Sequence, residues 1–160
     1  MDKQFIENST IKDIFNNSVT NFSKNNFLCS PCNRANSKIN NYSYNDVKKI
    51  LTDYISYFKS LNLRHSDRVS VIVGNIPEYF IIKLSLNYIG LSCVPLNYEL
   101  TLDELTFIIK HSESKLVISN SIYIKNIQKI ILKIKRKIGL SLFEKNKMTT
   151  IKKIRRKQLY

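Results

Sequence analysis

The chain has 160 residues, enough for one domain with a real core and few for two. Apolar residues at 43% and aromatics at 11% exclude a disordered chain, and only three glycines and three prolines argue against a loop-rich or all-β fold. The net charge of +14 is uneven: residues 1–120 carry 13 Lys/Arg against 11 Asp/Glu, whereas residues 121–160 carry 13 Lys/Arg against Glu144 alone.

In chain order, Ile11, Ile14, Phe15, Val19 and Phe22 recur at helical spacing behind Thr10, a suitable cap. Phe27-Leu28-Cys29 reads as a short strand, and Ser30–Asn41 as a polar loop. Val47, Ile50, Leu51, Tyr54, Ile55, Phe58 and Leu61 then mark one apolar face of a long helix capped by Ser43 or Asn45. A polar turn at Arg64–Asp67 leads into a buried-strand run, Val69–Val73. Pro77 and Glu78 suit a helix start, the first by its fixed φ and the second by its charge at the positive end of the dipole. The helix Glu78–Tyr88 is apolar on nearly every side. Leu91–Leu96 is a strand, Thr101–Glu104 a capping box opening a helix with Leu105, Ile108 and Ile109 on its buried face, and Lys115–Ser119 a further strand. Strand, helix, strand, helix, strand with unalternating apolar strands predicts an α/β fold: a partial, mainly parallel sheet with flanking helices.

The last quarter continues this pattern with a basic helical extension. Ile127, Ile130, Ile131, Ile134 and Ile138 mark one helical face, ringed by Lys125, Lys129, Lys133, Lys135, Arg136 and Lys137. Beyond Gly139, the segment Lys145–Tyr160 has little apolar pattern. The expected organisation is therefore a domain over residues 1–120 and a basic helical tail over 121–160.

Several residues invite a site and are weighed against plainer roles. Cys29-Ser30-Pro31-Cys32 has redox spacing but follows a strand into a polar loop, not a helix N-terminus, and no second Cys/His pair completes a zinc set. His65 falls in a polar turn and His111 near a helix end, both surface positions. The glycines Gly74, Gly90 and Gly139 are far apart, whereas a phosphate-cradling loop needs several together. The sequence thus nominates no catalytic, cofactor-binding or metal-binding residue. The odd cysteine count (Cys29, Cys32, Cys93) and a polar Met1–Thr10 point to a reducing, cytoplasmic setting. The most apolar window, Ile76–Leu96, is interrupted by Pro77, Glu78, Lys83, Gly90 and Pro95, so no membrane span is expected.

Residues 42–118 carry a series of short motifs in a definite order. Ser43-Tyr44 precedes the long helix, and Leu61-Asn62-Leu63 with Ser66-Asp67-Arg68-Val69 precedes a strand. Asn75-Ile76-Pro77-Glu78-Tyr79 opens the next helix. Gly90 through Pro95-Leu96-Asn97 follows, then Leu100-Thr101-Leu102-Asp103-Glu104-Leu105 and Lys115-Leu116-Val117-Ile118. Together these motifs resemble the N-terminal subdomain of acyl-CoA synthetases of the adenylate-forming, AMP-binding family, in which glycine is usual at the positions of Asn62 and Ser66. The stretch Pro95–Thr101 is most similar to fatty-acyl and carnitine-type CoA ligases. The resemblance covers about Ile11–Ser119 and implies an acid–CoA ligase, which forms an acyl-adenylate from ATP with Mg²⁺ and then an acyl-CoA. It also implies a subdomain that helps wall the acyl/AMP cleft.

The family's phosphate loop, ribose-binding acid and mobile-domain lysine all follow the matched segment. The expectation is a truncated ligase, inactive alone, with sequence beyond about residue 139 non-homologous or out of frame. A separately encoded remainder is a possible partner, and a subdomain cut off here should expose a broad apolar face on Glu78–Tyr88 or on the sheet. The competing expectation is a small basic protein that binds an anionic membrane or nucleic acid through Ile122–Lys157. Of those two partners, weak membrane association fits the tail and no nucleic acid is expected.

Overall fold

The computed structural model describes residues 9–30, 40–144 and 146–151. Contacts divide the chain into two compact units, Met1–Leu61 with Ile76–Ile89, and Asn62–Asn75 with Gly90–Tyr160. The division does not fall at the boundary near residue 120 that the charge distribution predicts.

In the first unit, helix α1 spans Ile11–Phe22, strands β1 (Asn26–Ser30) and β2 (Asn40–Ser43) pair antiparallel, and helix α2 spans Tyr44–Lys59. Helix α3, Pro77–Tyr88, completes it. Both α1 and α2 open with a capping box: Thr10 and Asp13, then Ser43 and Asp46, each satisfy the other's backbone N–H. Phe27 on β1 sits at the centre of an aromatic cluster, with ring centroids 5.7 Å from Phe15, 4.6 Å from Tyr44 and 5.6 Å from Phe80. The Tyr88 hydroxyl donates to Asn16 Oδ1 at 3.0 Å and ties α3 to α1.

The broad apolar face expected on Glu78–Tyr88 is not there. Ile81, Ile82 and Leu86 are fully buried, and α3 packs with α1, α2 and β1 inside its own unit. Among the described residues, the exposed large apolar side chains are Ile11, Phe22 and Phe80 in this unit and Tyr98, Phe107 and Ile122 in the other.

The second unit is a five-stranded sheet in the order β4-β3-β5-β6-β7. Its strands are β3 (Arg68–Ile72), β4 (Ser92–Pro95), β5 (Leu116–Asn120), β6 (Gly139–Glu144) and β7 (Lys147–Thr150). The first four are parallel and β7 returns antiparallel. Helices α4 (Leu102–His111) and α5 (Ile124–Lys133) lie on one face of this sheet. There Ile72, Leu96, Val117 and Leu140 pack with Leu105, Ile109, Ile127 and Ile130. The opposite face, carrying Val71, Ile118 and Phe143, is buried as well.

The basic segment behaves differently from its isoleucine spacing. The helix predicted to run to Ile138 ends at Lys133, where Ile134 turns extended (φ −84°, ψ 120°). The chain then enters β6, which pairs with β5 from Leu116↔Gly139 to Asn120↔Phe143. Ile138 and Leu140 reach the same core as the helix, but from a strand. The segment is helix then hairpin, not one helical tail. Pairing along a neighbouring strand satisfies its backbone and overrides the local helical period.

Candidate functional site

In open α/β sheets, the crevice for a ligand forms at the carboxyl ends of the parallel strands, where successive connections leave in opposite directions. Here that point lies between β3 and β5, since β4 sits on one side of β3 and β5 on the other. The loops there are short and polar. Asn120, the last residue of β5, donates from Nδ2 to the Val73 carbonyl at 3.1 Å, bridging the ends of the two central strands. Its Oδ1 accepts the Tyr123 N–H at 3.3 Å and so starts α5 without a capping hydroxyl. After β4, Asn97 Oδ1 accepts the Glu99 N–H at 3.0 Å, fixing the turn that carries Tyr98. Tyr98 and Tyr123 stack with centroids 5.9 Å apart at 21°.

Gly74 has φ +83° with open space where a Cβ would stand, so its glycine is a conformational need and leaves an unobstructed approach to the backbone. The rim can bind by amide and aromatic contact.

Other groups resolve into structural roles. Cys29 lies exposed at the end of β1, while Pro31 and Cys32, the rest of the redox-spaced motif, lie outside the described residues. His65 Nδ1 is 2.9 Å from Ser66 Oγ, and the ring occupies the space that Gly90 leaves by lacking a Cβ. His111 stacks on Phe107 at 5.4 Å and 6°, in an open surface hollow beside Lys110 and Glu113. Among the described residues, no group of three or more His, Cys, Asp or Glu could hold a metal ion.

The glycines do not converge on a phosphate either. Gly74 lies past the carboxyl end of β3, while Gly90 precedes β4 and Gly139 begins β6, at the opposite end of the strands.

Two buried polar arrangements escape the sequence. Ser70 and Ser114, both fully buried, share a hydrogen bond of 2.7 Å that continues from Ser114 to Ser112 at 2.9 Å. In the first unit, the Tyr42 hydroxyl donates to Glu78 Oε1 at 3.3 Å. Burial, reinforced by the nearby Glu78, Tyr42 and Asp53, holds the Tyr54 phenol neutral well above the usual tyrosine range. Serines and tyrosines inside apolar runs carry no periodic signal. Gly74, Asn97 and Asn120 each directly follow a strand run legible in the sequence, but nothing in the sequence shows that they converge.

A shallow groove of about 250 Å³ in the first unit is lined by Ile11, Ile14, Phe15, Phe27, Tyr44 and Leu84, with few polar groups to orient a ligand.

The model of the family described as AMP-binding enzyme matches residues 20–157. It runs through residues 139–157, where the sequence alone shows no resemblance. A crotonobetaine/carnitine–CoA ligase of Escherichia coli O127:H6 is 27% identical over 99 residues, covering 62% of this chain and 19% of the relative. The chain thus spans about a fifth of the length of the curated relatives it matches. Coronafacic acid ligase from Pectobacterium brasiliense superimposes with a TM-score of 0.72 at 21% identity, over 84% of this chain and 26% of that one. A fatty acyl CoA synthetase of Mycobacterium tuberculosis gives 0.64 at 20%, over 80% and 24%. At these identities the likeness to both structures is one of fold. No helix among the described residues is long and apolar enough to cross a membrane.

Proposed function

The chain belongs to the AMP-binding enzyme family, and from that premise we propose that it supplies the N-terminal α/β portion of an acid–CoA ligase. Such a ligase joins a carboxylic acid to AMP at the expense of ATP and passes the acyl group to coenzyme A. Within it, this chain is scaffold. It builds the sheet, and its strand ends, Gly74, Asn97 and Asn120, form part of the wall of the acyl and nucleotide cleft. Phosphate binding and the chemical steps belong to sequence outside these 160 residues, which by themselves form no acyl-adenylate.

The observation that carries this reading is the agreement of the family match over residues 20–157 with a sheet that is continuous from β3 to β7. The relatives include a crotonobetaine/carnitine–CoA ligase and a fatty acyl CoA synthetase, and the acid we propose lies in that range, in keeping with the run Pro95-Leu96-Asn97-Tyr98. The reading is tested by measuring ATP-dependent acyl hydroxamate formation with fatty acids and with crotonobetaine. The 160-residue chain alone is expected to give none, and a polypeptide that continues through a phosphate loop is expected to give product. Product from the chain alone contradicts the reading.

A further inference from the structure

We propose that the exposed face of α5, with Ile122 at its leading end, is a docking surface for a bilayer that carries anionic lipid. Lys125, Lys129 and Lys133 follow one another at four-residue steps and are all exposed, so they form a single row along the helix. At about 1.5 Å per residue the row extends roughly 12 Å. Lys135 and Lys137 are exposed just beyond it. None of these lysines lies within ion-pair distance of a carboxylate among the described residues, where the ion pair is Arg68–Glu113. Residues 121–151 contain one acid, Glu144. The opposite side of α5, Ile127, Ile130 and Ile131, is committed to the core, so the lysine face is held outward and cannot rotate away.

The chemistry at the end of the row decides between anionic partners. Ile122 is 75% exposed and Tyr98 is 46% exposed, and Tyr98 stacks on Tyr123. Ile122 lies in the turn just before α5, next to its N-cap Tyr123, at the leading end of the row. A bare aliphatic side chain beside tyrosines suits the boundary between headgroups and acyl chains, where the isoleucine leaves water and the phenols keep their hydroxyls wet. A phosphate backbone offers that isoleucine nothing. The row also has no arginine, the residue best fitted to bidentate phosphate or base contacts. Lysines act there as point charges on a diffuse negative surface.

The test is co-sedimentation of the full chain with vesicles of phosphatidylcholine alone and with about a third phosphatidylserine, across a sodium chloride series. The chain is expected to bind the anionic vesicles with steep salt dependence and to ignore the neutral ones. Lys125→Glu/Lys129→Glu/Lys133→Glu should weaken binding by about 100-fold, and Ile122→Asn by about fivefold. A control with the same charge change, Lys24→Glu/Lys48→Glu/Lys49→Glu, should bind far more tightly than the α5 variant. Circular dichroism confirms that each variant is folded. The basic residues 152–157 remain in every variant, so loss of binding is assigned to α5. The proposal is overturned by no vesicle binding, by equal binding of the two triple variants, or by Ile122→Asn binding as well as the parent. Tight binding to duplex DNA without vesicle binding overturns it too.

Discussion

Asn62 and Ser66 hold left-handed backbone, with φ of 52° and 66°, at the two positions where the sequence resemblance implies glycine. Asn tolerates this region through its short polar side chain, while Ser meets the full steric cost of a Cβ. The Ser66 turn is held by its N–H donating to the Gly90 carbonyl at 2.7 Å, and the following Asp67 N–H donates to Arg64. The conformation is thus imposed by the surrounding fold against local preference. Ser66→Gly should therefore raise stability by about 1 kcal/mol, read as a shift of the urea midpoint at unchanged slope. A lowered midpoint would show that the serine side chain, through its contact with His65, matters more than its backbone strain. The left-handed need at these positions was legible only from the resemblance, because composition and period say nothing about the sign of φ.

Among the elements, those with a local signature were legible and those made by pairing were not. Thr101-Leu102-Asp103-Glu104 announces α4, and its capping box is present, with the Glu104 carboxyl held below the usual carboxylate range by its bonds to Thr101. Ser43 proved to be the cap of α2. By contrast β2, Asn40-Asn41-Tyr42-Ser43, is polar and owes its form to pairing with β1. The strand β6 had a signal, Gly139-Leu140-Ser141-Leu142-Phe143, which the basic composition around it obscured. Arg136 explains part of how α5 passes into β6. Its Nη2 donates to the carbonyls of Ile109 at 3.0 Å and Ser114 at 3.3 Å, joining the α5–β6 link to the end of α4 and the start of β5. Arg136→Met keeps the stem and removes the donors, leaving two carbonyls short of a partner. It should cost about 1–3 kcal/mol by chemical denaturation. An unchanged midpoint would mean that water serves those carbonyls equally well.

At the scale of the molecule, the α/β class and the parallel order of β3, β4 and β5 follow from unalternating apolar strands joined by amphipathic helices. The two compact units do not follow, because residues 62–75 and 76–89 are neighbours in sequence and belong to different units. The rim at the strand ends was equally hidden, being made of asparagines and tyrosines brought together by the sheet. In the proposed reading, what the chain contributes to a ligase is geometric. Its three glycines lie at opposite ends of the strands and form no phosphate cradle, which makes nucleotide binding the most direct test. Equilibrium dialysis of the 160-residue chain against radiolabelled ATP with Mg²⁺ should show no saturable binding at millimolar nucleotide. Stoichiometric, saturable binding would contradict the account and would require a nucleotide site within these residues.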